Sequence, residues 1–244
     1  FTDVAGNTAV SDPPLTYTLD TTPPPEPETL SVTYDNSTNT LLFELTGDYG
    51  LTDLTGGVID LSKLSWDYNG NGDNANPGAP SSFVLADDLV VGGVPTVEVG
   101  PEGVSISVQL TSEAAGGLEQ PGSGFAGSVE DGFDVAAGVL TDAAGNASTF
   151  TFEDETIRLR LLGSDDPDNM FGGSGDDTLT GGLGDDTLTG RGGDDLFVFE
   201  GRDVGVDLVT DFTPSDVIGL DATLTANPSA SGADALLIED GNVP

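Results

Sequence analysis

The chain has no cysteine and no histidine among its 244 residues, and five basic side chains stand against 43 acidic ones. Without those two residue types a structural zinc site, a thiolate nucleophile and a histidine-based triad are all excluded, which removes most hydrolase chemistry and makes the chain read as non-catalytic. Disulfide stapling is excluded as well, so extracellular stability has to come from packing and metal. The formal charge of −38 opposes compaction unless cations neutralise it. The bases are Lys63, Arg158, Arg160, Arg191 and Arg202, too few for a phosphate-binding surface, so nucleic acid is excluded as a partner and anionic membranes are disfavoured. No apolar run approaches the ~20 residues of a transmembrane segment, and no signal peptide stands at the start. The chain begins at Phe1 without an initiator Met and reads as a piece of something larger.

What the chain has in excess is glycine and aspartate, gathered in GGSGDDTLTGGLGDDTLTGRGGDDLFV (172–198) with a period of nine. A glycine-rich hexad makes a tight turn whose carbonyl oxygens converge, because glycine tolerates positive φ and close backbone approach. Each copy then supplies an aspartate, Asp177, Asp186 and Asp195, followed two residues later by an apolar side chain, Leu179, Leu188 and Phe197. The DTLT unit alternates as a short strand does. A degenerate copy, GSDDPDNMF (163–171), keeps Gly163, Asp168 and Met170 at the corresponding places, and in the last full copy Arg191 replaces the second glycine. Two units complete one coil, so turns of alternate copies stack. A hard cation between them is held by carboxylate and carbonyl oxygens, and calcium suits this best, taking six to eight oxygens at roughly 2.3–2.6 Å. The competing reading is a solvated, disordered glycine-aspartate linker. Three in-register copies with the apolar slot filled speak against it.

These copies resemble the calcium-binding nonapeptide GGxGxDxUx of RTX proteins, which are exported by type I secretion. The resemblance implies a parallel β-roll over residues 157–199 and several bound Ca2+ ions. It also implies ligands from the first and third positions as carbonyls and from the sixth as carboxylate: Gly172, Ser174 and Asp177; Gly181, Leu183 and Asp186; Gly190, Gly192 and Asp195; and, in the degenerate copy, Gly163, Asp165 and Asp168. The segment after the repeats resembles the one that follows RTX repeats, in LFVF (196–199), DLVTDF (207–212) and DVIGLD (216–221). There Asp207, Asp211 and Asp216 either close the last calcium site or are ordinary strand ends. Residues 200–244 are expected to form a post-repeat β segment, with the start of the type I secretion region in 222–244.

Upstream, the chain reads as all-β, with an immunoglobulin-like β-sandwich over 29–156 preceding the roll. Short alternating runs are separated by turn residues at the spacing of a sandwich. The strand candidates are LSVTY (30–34), TLLFEL (40–45), VIDLSKL (58–64), SFVLADDLVV (82–91), TVEV (96–99), VSISVQL (104–110), VAAGVLT (135–141) and STFTF (148–152). Residues 1–22 look like the closing hairpin of a preceding module, and 23–28 a stiff proline-rich linker. TDAAGN (141–146) echoes TDVAGN (2–7). The echo resembles the last hairpin of bacterial immunoglobulin-like repeats, which are joined by DTTPP-like linkers; a merely favourable turn is the other reading. The loop DYNGNGDNANPG (67–78) places Asp67, Asn69 and Asn71 at the first, third and fifth positions of an EF-hand-like calcium loop, with Asp73 at the seventh. Gly78 stands where the bidentate glutamate belongs, and a solvated Asn/Gly loop fits the pattern as well. Paired carboxylates such as Asp87 with Asp88 are expected by chance on so acidic a chain, and Trp66 is read as core.

Three functions remain. The first is a calcium-dependent adhesin or matrix protein on the surface of a Gram-negative bacterium, with type I secretion machinery and a cell-surface or matrix ligand as partners. The second is the non-catalytic tail of a secreted RTX hydrolase. The third is a self-assembling fibre or surface-layer subunit, in which the first hairpin adds to a neighbour's sheet.

Overall fold

A computed structural model describes residues 19–47, 58–67, 82–84, 91, 95–100, 103–118, 132–200, 205–220 and 235–240. These form β1 (Thr29–Asp35), β2 (Thr40–Thr46), β3 (Val58–Ile59), β4 (Leu64–Asp67), β5 (Ser82–Val84), β6 (Thr96–Gly100), β7 (Gly103–Gln109) and helix α1 (Ser112–Leu118). Then come β8 (Gly132–Val135), β9 (Leu140–Thr141), β10 (Phe152–Leu162), β11 (Asn169–Phe171), β12 (Thr178–Thr180) and β13 (Thr187–Thr189), followed by β14 (Leu196–Phe199), β15 (Val206–Phe212), β16 (Val217–Leu220) and β17 (Ala235–Asp240). Among the described residues regular structure is mostly strand with almost no helix, as an all-β reading requires.

One strand organises the rest. The first residues of β10 pair antiparallel with β8, its middle pairs parallel with β1 through Val32 and Ile157, and its end pairs parallel with β12 through Leu161 and Leu179. A single sheet therefore runs β16-β14-β12-β10-β1-β2-β7-β6, and the expected boundary at 156/157 falls inside β10. Asn36, in the β1–β2 turn, clamps the strand's end. Its amide group donates to the Leu162 carbonyl at 3.0 Å and accepts from the Leu162 amide at 2.8 Å.

Ahead of β10 the apolar residues of β1, β2 and β7 alternate inward, as the period of two requires. They meet the arm made of β4, β5 and β8 where the rings of Phe43 and Phe133 lie 4.9 Å apart. Beyond β10, successive short strands alternate between two parallel sheets. One is β10-β12-β14-β16, the other β11-β13-β15-β17. Leu179, Leu188, Phe197 and Val209 are completely buried, and Met170 nearly so, in one hydrophobic cluster continuous with that of the first half.

Several expected strands are shorter than their sequence runs. VIDLSKL is interrupted by a 3-10 turn at Leu61–Lys63, because the Asp60 carboxylate captures the Ser62 amide at 3.1 Å. VAAGVLT splits into β8 and β9 around Gly138, and in STFTF only Phe152 lies in regular strand, although Ser148 and Phe150 are buried. The seven-residue helix α1 has no counterpart in the strand reading; Thr111 caps it by accepting from the Ala114 amide at 3.2 Å. TDAAGN is a closed turn. Asp142 accepts from the amides of Ala144 and Asn146 and from the Asn146 side chain, which leaves its carboxylate fully engaged and its pKa lowered, chiefly by Asn146. Asn146 also reaches the Asp20 carbonyl at 3.4 Å. The proline segment lies against the fold, with Pro24 and Pro27 buried one polyproline turn apart. Of the first hairpin only residues 19–22 are described, and they carry no strand.

Phe133 is the wedge between the two arms. Its replacement by alanine is expected to cost about 3–5 kcal/mol of stability in saturating calcium, measured by urea denaturation of the whole chain.

Candidate metal centre

The two parallel sheets are joined by turns that lie in two stacks. Turns 172–177, 190–195 and 213–216 form the first stack, feeding β12, β14 and β16; turns 163–168 and 181–186, with residues 205–207, form the second, feeding β11, β13 and β15. The aspartate before each strand points back along its stack. In the first, Asp177 Oδ1 accepts from the Leu159 amide at 2.7 Å, Asp195 Oδ1 from the Asp177 amide at 3.0 Å, and Asp216 Oδ1 from the Asp195 amide at 3.0 Å. In the second, Asp186 Oδ1 accepts from the Asp168 amide at 2.9 Å and Asp207 Oδ1 from the Asp186 amide at 3.0 Å. The preceding aspartate of the first two GDD units braces the opposite way: Asp176 accepts from the Asp194 amide and Asp185 from the Val206 amide. Those two doublets thus tie their turns to the coil on either side.

The other carboxylate oxygen faces the inside of its own turn. Asp177 Oδ2 accepts from the Gly173 amide at 2.5 Å, and Asp168 Oδ2 from the amide and hydroxyl of Ser164 at 2.6 and 2.9 Å. Against the first-position glycine of each turn, oxygens crowd the space a side chain would need. A Cβ on Gly172 would collide with Asp177 Oδ2 and the Gly190 carbonyl, and one on Gly163 with the Gly181 carbonyl and Asp168 Oδ2. Only glycine leaves this oxygen-lined gap open.

Asp186 Oδ2 is buried and without any hydrogen-bond partner. An isolated buried carboxylate oxygen is costly unless a cation or a proton meets it. The donor set is hard oxygen throughout, carboxylate from the sixth position and carbonyl from the first, which fits calcium and not a soft or borderline metal. No group of three or more acidic side chains gathers among the described residues, so each such site draws on at most two carboxylates and on backbone oxygens.

Burial sets the electrostatics. Asp177 and Asp186 are 1% exposed, Asp195 and Asp207 2%, and Asp216 9%. Desolvation pushes Asp177 up to about 7 and Asp195 and Asp207 up to about 6, with neighbouring aspartates adding in the same direction, and raises Asp186 likewise. A carboxyl group whose folded pKa lies above its unfolded value supports the fold when protonated. That support is complete below about 3.8 and is lost as pH rises through about 6 to 7. At neutral pH the ionised carboxylates need another positive charge, and a bound cation supplies it.

The structure thus brings together Gly163, Asp168 and Gly181, and likewise Gly172, Asp177 and Gly190. Asp165, Ser174, Leu183 and Gly192 occupy the outer bends, where the amides of Leu183 and Gly192 donate to the second-position carbonyls of Ser164 and Gly173. Asp207 and Asp216 extend the two stacks beyond the repeats with a step of 21 residues in place of 18. The signal for this was the persistence of aspartate two residues before an apolar side chain, Val209 and Ile218 here. Asp211 has a different task, accepting from the amides of Gly190 and Arg191. The bracing by Asp176 and Asp185 was missed, although the repeated doublet GDD announced it. Asp67 ends β4, while Asn69, Asn71 and Asp73 of the proposed loop lie outside the described residues.

A family model for the RTX calcium-binding nonapeptide repeat, in four copies, matches residues 162–197. The match supports an RTX protein and, with it, calcium binding, and it takes in the degenerate copy from Gly163. Neither a curated protein nor a solved structure matches the chain.

Two outcomes follow from this geometry. Asp186→Ala is expected to weaken calcium binding on the order of tenfold or more, read by isothermal titration, since it removes the one buried side-chain oxygen without a partner among the described residues. In calcium-free buffer the β signal in circular dichroism should be retained near pH 4 and fall as pH is raised through 6 to 7, with calcium restoring it at pH 8. A flat profile in calcium-free buffer would count against the raised carboxylates.

Proposed function

We propose that this chain is part of a calcium-dependent extracellular adhesin or matrix protein of a Gram-negative bacterium, exported by type I secretion and folded outside the cell. In this reading the strands from β1 to the start of β10 form an immunoglobulin-like sandwich, and the coils from β10 onward form a parallel β-roll. The observation that carries it is the pair of stacked aspartate ladders with the unpartnered oxygen of Asp186 inside. Their buried carboxylates are disfavoured at neutral pH until calcium arrives, so the fold is coupled to the calcium level of the compartment. Inside the cell calcium is scarce and the acidic repeats stay unfolded, fit for export through a narrow channel. Outside, calcium binds the folded state only and draws the chain into it.

The adhesive role rests on the first half of the molecule. TDAAGN is a self-satisfied turn whose Asn146 touches Asp20, so the segment before β1 is seated on the turn that the sequence repeats at residues 2–7. Such seating suits modules joined in a row, and an extended row of modules presenting a terminal ligand-binding part is the build of an adhesin. The chain contributes no catalysis in this reading, because it lacks the histidine and cysteine that hydrolytic sites use. Among the described residues no helix is long and apolar enough to cross a membrane.

Calcium should raise the β content of the whole chain, seen by circular dichroism at neutral pH in millimolar calcium against a chelator. Equal β content in the two conditions would sink the coupling of folding to calcium.

A further inference from the structure

The two turn stacks differ chemically, and the difference is Arg191. In the second stack the second position of turn 181–186 is Gly182, at φ 102°, where a Cβ would run into the carbonyl of Ser164. The corresponding position in the first stack is Arg191, at φ 71°. A left-handed non-glycine residue is held there because the Asp211 carboxylate of the coil above accepts from two successive amides, Gly190 at 2.9 Å and Arg191 at 2.7 Å.

From that anchor the side chain folds back onto the turn below. Its Nη1 donates to the Gly172 carbonyl at 2.9 Å, and its Cζ sits 5.2 Å from the centre of the Phe171 ring. Gly172 is the glycine whose open side faces Asp177 Oδ2 and the Gly190 carbonyl, so the guanidinium reaches the oxygen-rich gap between turns 172–177 and 190–195. A guanidinium is charged at every relevant pH and serves oxygen acceptors in a fixed geometry, while the Phe171 face covers it. Arg191 is also the sole base between Gly163 and Glu200, a stretch with aspartate in every turn.

We propose that Arg191 is a built-in cation that takes the place of one calcium ion between turns 172–177 and 190–195, so that the first stack binds one ion fewer there than its geometry would otherwise hold. The inference rests on calcium binding by the repeats and concerns how many ions they take. One turn pair then holds a fixed positive charge before any calcium arrives, and the first stack, which is continuous with β10, is the one so served.

The test is to count bound calcium on the whole chain by native mass spectrometry, with β content followed by circular dichroism. Arg191→Gly restores the glycine found at this position in the other two full copies and is expected to bind one more ion than the wild type. Arg191→Lys keeps the charge and is expected to keep the wild-type count. An unchanged count in folded Arg191→Gly would overturn the inference. Should Arg191→Gly fail to fold in calcium, Arg191→Met and Arg191→Lys decide: the uncharged variant is expected to need several-fold more calcium at its folding midpoint, and the charged one about as much as the wild type. Equal midpoints for the two would overturn it. A wild type that binds no calcium would instead remove the calcium reading on which the inference stands.

Discussion

Five turns of the second half are each fastened to the coil before by an aspartate oxygen that accepts the backbone amide of a residue one coil earlier. The interaction is charge-assisted, and its repetition at Asp177, Asp195 and Asp216 on one side and Asp186 and Asp207 on the other sets the stacking distance of the turns. The apolar slots follow from it. With aspartate fixed over aspartate, the side chain two residues on falls over its counterpart, and Leu179 meets Leu161 and Phe197 in parallel register. The hydrophobic interior is thin, since β12 and β13 each bury a single side chain, Leu179 and Leu188. It could not hold so acidic a surface together alone.

That arrangement carries an internal conflict. Orienting the carboxylates toward amides buries them, and burial makes their ionised form unfavourable, as the upward displacement of Asp177, Asp195 and Asp207 records. Amide hydrogen bonds offset part of this cost, on both oxygens of Asp177 and Asp216 and on one oxygen of Asp186. The buried second oxygen of Asp186, which has no such partner, is left to a cation. A bound cation would therefore answer a charge that the ladder itself creates.

The repeats were legible because their chemistry is local. A glycine hexad, an aspartate and an apolar residue at fixed offsets specify turn, ligand and core within nine residues, and the structure places Asp177, Asp186 and Asp195 in one ladder role, with Asp168 closing its own turn. The continuation through Asp207 and Asp216 was harder to see because the glycines disappear and the step lengthens, although the offset from aspartate to apolar residue persists. In the first half local signals misled where a side chain outcompeted the ladder. Asp60 turns the chain inside an otherwise strand-like run, whereas at TDAAGN the turn is where the sequence places it and Asp142 closes it. The role of Arg191 could not be read at all, since it depends on Asp211, which lies 20 residues away in sequence and adjacent in space.

Strand β10 has one further consequence. Because Phe152–Leu162 passes without a break from the pairing of one half to that of the other, no swivel separates them. A pull applied along the chain at this point meets the parallel hydrogen bonds between Val32–Asp35 and their partners on β10 lengthwise, all sharing the load together, in place of a single bond opening at a time. The junction is in that sense a lap joint: the place where two differently built halves meet is also where the molecule resists being drawn apart.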